Sequence, residues 1–213
     1  MDMTREVMHD LLPSLLRRAV RVVPAEEDED TGAPRHPGLA RLAGNGLLHR
    51  VAAGYYALVP SDHIGTDWRP DLESAAWGIA AADDGPRSVA LMGLSAAHAH
   101  GAFPDTQGVA VIATTRNRPT LRFTDREATV SFVRRDPRRL KIERHSSTLG
   151  NGWVTTVEQT LLDLAAYPQL GGRPDLADDA ITGLIDKADP HVLYSLAGAQ
   201  RRMGALDRIL MQV

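Results

Sequence analysis

Five segments patterned as β-strands follow one another between residues 108 and 156, with helical periodicity on both sides of them. They read "GVAVIAT" (108–114), "TLRFTD" (120–125), "ATVSFVR" (128–134), "LKIERH" (140–145) and "WVTT" (153–156). Each is a short run rich in β-branched and apolar residues, broken by Pro, Gly or charged turns. Helices, then strands, then helices define an α+β protein rather than a regularly alternating α/β sheet. At 43% hydrophobic residues a full core is expected. With only 3 Trp, 4 Tyr and 3 Phe, that core must be built mostly from Leu, Val and Ala.

The flanking helices are read from spacing. From Thr4 to Arg21, Val7, Leu11, Leu12, Leu15, Leu16, Ala19 and Val20 recur every three or four residues, with Pro13 as an alternative helix start. Asp71 is placed to cap a helix through Ala82, and Ser88 another through His100, closed by Gly101. "TVEQTLLDLAAY" begins with a capping-box pattern, Thr155 with Glu158 three residues on. "DLADDAITGLIDKA" and "DPHVLYSLAGAQ" complete the chain as helices, and no internal repeat is visible.

The first sixty residues have their own pattern. "PAEEDEDTGAPRHPG" holds either a short helix from Pro24 or a loop. "GLARLAGNGLL" offers one or two helical turns stopped by Gly44 and Gly46, and a hairpin follows, Leu47–Val51 and Tyr55–Val59 around Ala52–Gly54. A short helix before a hairpin predicts a winged helix-turn-helix over 1–60, a linker over 61–70 and an α+β domain over 71–213. Such a unit puts its helix in the major groove and its hairpin against the backbone or minor groove. The reading helix would be roughly Pro37–Asn45, with Arg35, His36 and Arg41 near it and His49 and Arg50 on the hairpin. A helix followed by a hairpin also occurs in proteins that bind no DNA, and the acidic run Glu26–Asp30 would repel phosphates wherever it faced them.

Net charge is −3, so the whole chain carries no general attraction for nucleic acid or anionic membrane. The charge is unevenly spread, however. Residues 61–115 hold 2 Lys/Arg against 7 Asp/Glu, whereas 116–144 hold 10 against 4. That basic block supplies Arg116, Arg118, Arg122, Arg134, Arg135, Arg138, Arg139 and Lys141 as candidates for partner binding. Phosphate binding, docking of an acidic protein and a merely solvated sheet face all fit it, and the first would be strongly salt dependent.

Several chemistries lack their residues. With no cysteine there is neither a disulfide framework nor a thiolate metal site, which suits a reducing cytoplasm. The charged first residues predict no secretory signal, and no apolar run is long enough to span a membrane. His98 and His100 are two apart, a spacing that points helical side chains in different directions, unlike zinc ligands at i, i+4. Ser95 lies in no nucleophile elbow, and no phosphate-binding glycine loop is present. Nucleotidyl transfer needs carboxylates to hold its metal, and "GVAVIATT" has none. No enzyme, metal or cofactor is expected.

Three segments carry a family likeness. "GLLHRVAAGYYAL" resembles the end of the winged-helix domain in AbiEi-type antitoxins, the antitoxin halves of bacterial type IV (AbiE) toxin–antitoxin pairs. "ALMGLSAAHAHGAFPD" is similar to the first helix and turn of their C-terminal domain, and "VTTVEQTLLDLAAYPQLGG" to a helix near its end. The resemblance implies an antitoxin that neutralises a cognate nucleotidyltransferase toxin and represses its own operon by binding inverted repeats in the promoter. Carried over, the DNA-facing residues are Arg35, His36, Arg41, Asn45, His49 and Arg50, with Tyr56 supporting the wing and Leu48, Val51 and Leu58 packing. The alternative is an interaction module that binds no DNA and docks an acidic partner through its basic sheet face.

Overall fold

The structure is a computed structural model that describes residues 11–103 and 108–212. The start of the expected first helix, with Val7, lies outside them. Its described part, α1, covers 11–16 and includes Leu11 and Leu12 ahead of Pro13. The helix ends there rather than at Arg21, because Val20 pairs with Gly150 and the chain runs on into strand β1 (Val22–Pro24).

Strand β1 leads into a loop over 25–36 that carries no helix and is closed by a bridge between Glu27 and Pro34. Helix α2 (Pro37–Gly44) follows, with Pro37 at its first position, where a missing N–H costs nothing. Gly46 then takes φ +68°, a conformation that suits glycine, and turns the chain into β2 (Leu48–Ala52) and β3 (Tyr55–Leu58). The three strands form an antiparallel sheet in the order β1-β3-β2. Leu15, Leu39, Leu42 and Tyr56 close a small core beneath it.

The second sheet is mixed. Its strands are β4 (Val89–Leu91), β5 (Val109–Thr114), β6 (Leu121–Arg122), β7 (Thr129–Arg134), β8 (Ile142–Ser147) and β9 (Gly150–Thr155). Their order is β6-β7-β5-β4-β9-β8, with β4–β9 and β5–β7 parallel and the other pairs antiparallel. Side chains alternate across it. Val89, Leu91, Ala110 and Ile112 enter the main core, while Ala90, Met92, Val111 and Ala113 pack on the opposite face. Helix α3 (Leu72–Asp84) covers the main-core face and is itself almost wholly buried.

Four further helices gather with α4 (Gly93–Ala99) around a second core: α5 (Val157–Ala166), α6 (Ala177–Leu184), α7 (Pro190–Ala199) and α8 (Met203–Leu210). The chain is thus α+β, as the segment order implies. Two local expectations are corrected. The run after Ser88 first makes strand β4 and only then helix α4. The cap of α5 is Thr156, which accepts from Gln159 N, while Thr155 is buried and bonds Thr160.

The segment over 61–70 contains a single 3-10 turn, Ser61–His63, and Trp68 packs from it onto the main core. That core runs across the expected boundary. Val20, Val22, Val51, Ala52 and Ala57 share it with Leu72, Trp77, Leu91, Ile112 and Val154. The hairpin is also stitched to the larger sheet, since Ala52 bridges Phe123 and Thr124 N donates to Val51 O at 2.9 Å.

Candidate nucleic-acid and partner interface

Helix α2 buries Gly38, Leu39 and Leu42 and leaves its other side to solvent. Arg35, His36, Arg41 and Asn45 are all exposed there, and the last two, four residues apart, share one helix face. His36 is the N-cap, its Nδ1 accepting from Leu39 N at 3.4 Å. Four of the six expected DNA-facing residues therefore gather on and just before one short exposed helix.

The two hairpin residues are placed differently. Arg50 donates from Nε and Nη2 to the two oxygens of Glu27, at 2.7 and 2.5 Å, a fork-to-fork pair. Gly32 packs against the same guanidinium, and Tyr56 Oη lies 2.6 Å from both Glu27 Oε1 and Gly32 O. The Arg50 hydrogen bonds hold the Glu27 carboxyl well down, at about 2. Burial and the Glu27 contact push the Tyr56 hydroxyl up. His49 Nε2 meets Asp125 Oδ2 at 2.7 Å. Burial works against ionisation of Asp125, yet hydrogen bonds from Arg126 and His49 hold its carboxyl below the usual range. The acidic stretch thus turns Glu27 inward onto the hairpin, while Glu26, Asp28, Glu29 and Asp30 stay exposed.

The basic block divides in the same way. Arg116 pairs with Asp84, and Arg118 reaches Asp83 at 2.7 Å while lying 4.1 Å above the Phe132 ring. Arg138 closes on Asp136 at 2.9 Å. Arg135 pairs with Asp163, a fully buried carboxylate that also accepts from Arg202 at 2.5 Å, and both guanidiniums stack on Tyr167. Arg122, Arg134, Arg139 and Lys141 are exposed. A basic surface remains, but it is smaller than the count of residues suggests.

Sequence reasoning did not foresee three arrangements. They are the Glu27–Arg50–Tyr56 knot, the double pinning of Asp163, and a cleft where Glu73 faces His98. Asp163 carried a signal, as the one charge inside "TLLDLAA". The others join residues far apart in the chain, and no local pattern marks them. Among the described residues, no group of three His, Asp or Glu is arranged to hold a metal ion, and no helix is long and apolar enough to cross a membrane. Compared with known proteins, the chain matches no family model and no curated protein.

Proposed function

We propose that this protein is an antitoxin of the AbiEi type, which neutralises a nucleotidyltransferase toxin and represses its own operon. The observation that carries the reading is the N-terminal topology. Exposed helix α2 leads directly into the β2–β3 hairpin of the β1-β3-β2 sheet, the order of elements that a helix in the major groove and a hairpin beside it would need. Operator contact falls on Arg35, His36, Arg41 and Asn45. The hairpin acts as a brace, because Arg50 and His49 already hold carboxylates and Ala52 is bridged to Phe123. Toxin contact falls on four exposed cations of the basic block, Arg122, Arg134, Arg139 and Lys141.

The test has two arms. Purified protein should retard its own promoter fragment at low salt, and Arg35→Ala with Arg41→Ala should abolish that shift. Co-expression with the neighbouring nucleotidyltransferase should restore growth. No shift by the wild type defeats the repressor half, and no rescue defeats the antitoxin half.

A second reading has its own observation. Exposed Glu26, Asp28, Glu29 and Asp30 lie on the loop that fills the place of a positioning helix, next to α2. A phosphate backbone approaching α2 would meet those charges. On this reading the protein docks an acidic partner through its basic face and binds no DNA, and the Arg35/Arg41 pair changes nothing.

A further inference from the structure

Helix α7 carries no Lys, Arg, Asp or Glu, although most of its residues face solvent. Only Leu193 and Ala197 are buried within it. The outer face of a solvated helix is ordinarily charged, so a bare one marks a contact surface. A groove of about 380 Å³ runs along it, lined by Val192, Ser195, Leu196 and Ala199, with His191 at one end and Lys141 of the β7–β8 connection beside them. No carboxylate lines the groove.

The groove adjoins a basic seam. Gln159, Asp163 and Tyr167 follow at four-residue spacing and so share one face along and just past α5. On that face the β7–β8 connection (135–141) and the α7–α8 corner (200–202) are fastened side by side. Gln159 Oε1 accepts from Lys141 N at 3.1 Å and from Gln200 Nε2 at 2.6 Å. Asp163 Oδ1 accepts from Nη1 of both Arg135 and Arg202, whose guanidinium carbons lie 5.1 and 5.3 Å from the Tyr167 ring centre. The fold thus sets Arg201 and Arg202 beside Arg135, Arg139 and Lys141, cations far earlier in the chain.

Nearby carboxylates do not cancel this charge. Asp163 is wholly buried and shared between two guanidiniums, and Asp136 is held by Arg138 at 2.9 Å. Neither Arg135 nor Arg202 has a further side-chain hydrogen-bond partner among the described residues, so their other donors are available. At the opposite end of α7, Asp189 Oδ1 accepts from His191 N and Val192 N, and Glu158 accepts from Asp189 N at 3.1 Å. The surface therefore runs from acidic at the start of α7 to basic at its end.

A ligand has to answer both the groove and the seam. A phosphate backbone would meet the cations and leave Val192, Leu196 and Ala199 uncovered. A purely apolar molecule would fill the groove and leave the guanidinium donors unmet. An amphipathic helix answers both, with its apolar side chains against α7 and its carboxylates at the guanidinium forks. We infer that the α7 groove and the basic seam at its end form one docking surface for an acidic amphipathic helix of a partner protein. This rests on the reading that the basic block meets a partner protein, and it narrows that reading. Arg201 and Arg202 join the surface, while Arg122, opposite Thr129 at the other end of β7, stands outside it.

The experiment titrates the full-length protein, at near-physiological ionic strength, with a synthetic acidic peptide of about 16 residues, long enough to hold a helix. Its leucines stand at i, i+4 and i+7 with glutamates beside them. Control peptides carry serine for leucine or glutamine for glutamate, and an oligothymidylate of equal charge is the third control. Binding is followed by calorimetry and by the amide NMR signals of α7. The acidic helix should bind saturably and shift Val192, Ser195 and Ala199, and every control should bind at least about tenfold more weakly. Ser195→Glu and Ala199→Glu, both at exposed positions, should each weaken binding by a similar factor, and so should Arg139→Gln combined with Arg201→Gln. Arg17→Gln with Arg18→Gln, the same loss of charge on the turn after α1, should change nothing. Circular dichroism checks that each variant is folded. The inference is overturned if the acidic helix does not bind, if any control binds as tightly, if the groove and seam variants bind like the wild type, or if the Arg17/Arg18 pair weakens binding as much. Such a failure alongside intact growth rescue would strike this surface and leave the antitoxin reading standing.

Discussion

Replacing Glu27 with Gln tests the knot that ties the acidic loop to the hairpin. The substitution keeps the shape and removes the charge that Arg50 grips through two hydrogen bonds at 2.7 and 2.5 Å. Glu27 titrates at about 2 instead of 4.5, chiefly through the Arg50 hydrogen bond. At about 1.36 kcal/mol per unit, that shift caps its contribution at roughly 3 kcal/mol. The Arg50 side chain is 38% exposed, so water and salt screen much of it. The expected loss at pH 7 is about 1–2 kcal/mol. The sign with pH follows from the direction of the shift. A carboxyl whose folded value is depressed stabilises the fold above its unfolded value near 4.5 and loses that effect as pH falls toward 2. Urea unfolding followed by tryptophan fluorescence should therefore show a gap between wild type and Glu27→Gln that is constant from pH 7 to 5.5. By pH 3.5 the gap should have narrowed by about two-fifths. A gap below about 0.5 kcal/mol at pH 7, the worth of a screened surface pair, would refute the reasoning, and so would one that did not change with pH.

Other perturbations probe the rest of the molecule. Gly152→Ala places a methyl against the Trp77 indole, with Cζ2 only 2.9 Å from the new atom, and should cost about 2 kcal/mol or more in urea unfolding. Asp163→Ala strips the shared partner from Arg135 and Arg202 and should cost about 3–5 kcal/mol, whereas a loss under 1 kcal/mol would mean that the pair is solvated. Ser95→Ala leaves the buried Val111 amide without its 2.9 Å acceptor and should cost about 1–3 kcal/mol, with faster amide exchange at Val111.

What the sequence made legible follows from how local each signal is. Strands β5 and β7 are short runs rich in β-branched residues, and their observed limits fall within a residue of the expected ones. The hairpin was equally clear because Gly54 takes φ +75°, a turn that glycine marks in the sequence. Strand β1 was missed because three residues ending in proline look like the tail of the preceding helical pattern. Strand β4 was absorbed into a helix because "VALMGL" is apolar without a period, and only its pairing with β5 and β9 makes it a strand. Helix α8 went unread, since it follows closely on Arg201, whose φ of +56° breaks the chain direction without a glycine to announce it.

The candidate interface was half legible for the same reason. Counting arginines located the basic block, but pairing is a long-range event. Arg135 finds its carboxylate 28 residues later, at Asp163, and Arg50 finds its own 23 residues earlier, at Glu27. No composition-based reading separates a guanidinium already spent in this way from one that faces water. Exposure on α2 was more accessible, because the apolar positions of a short amphipathic helix name its buried side and leave the remainder outward.

The continuity of the main core across residues 60–71 has a bearing on how such a chain can be taken apart. Here, cutting after residue 60 would strip Val22, Ala52 and Ala57 of their apolar neighbours and expose the Trp77 pocket on the other piece. Each fragment would keep a core of its own, Leu39, Leu42 and Tyr56 in the first and Leu94, Leu161 and Ile181 in the second, but the core they share would be opened on both. The first sixty residues are therefore joined to the rest through a shared apolar interior as well as through the chain, and separating the two halves has to open that interior.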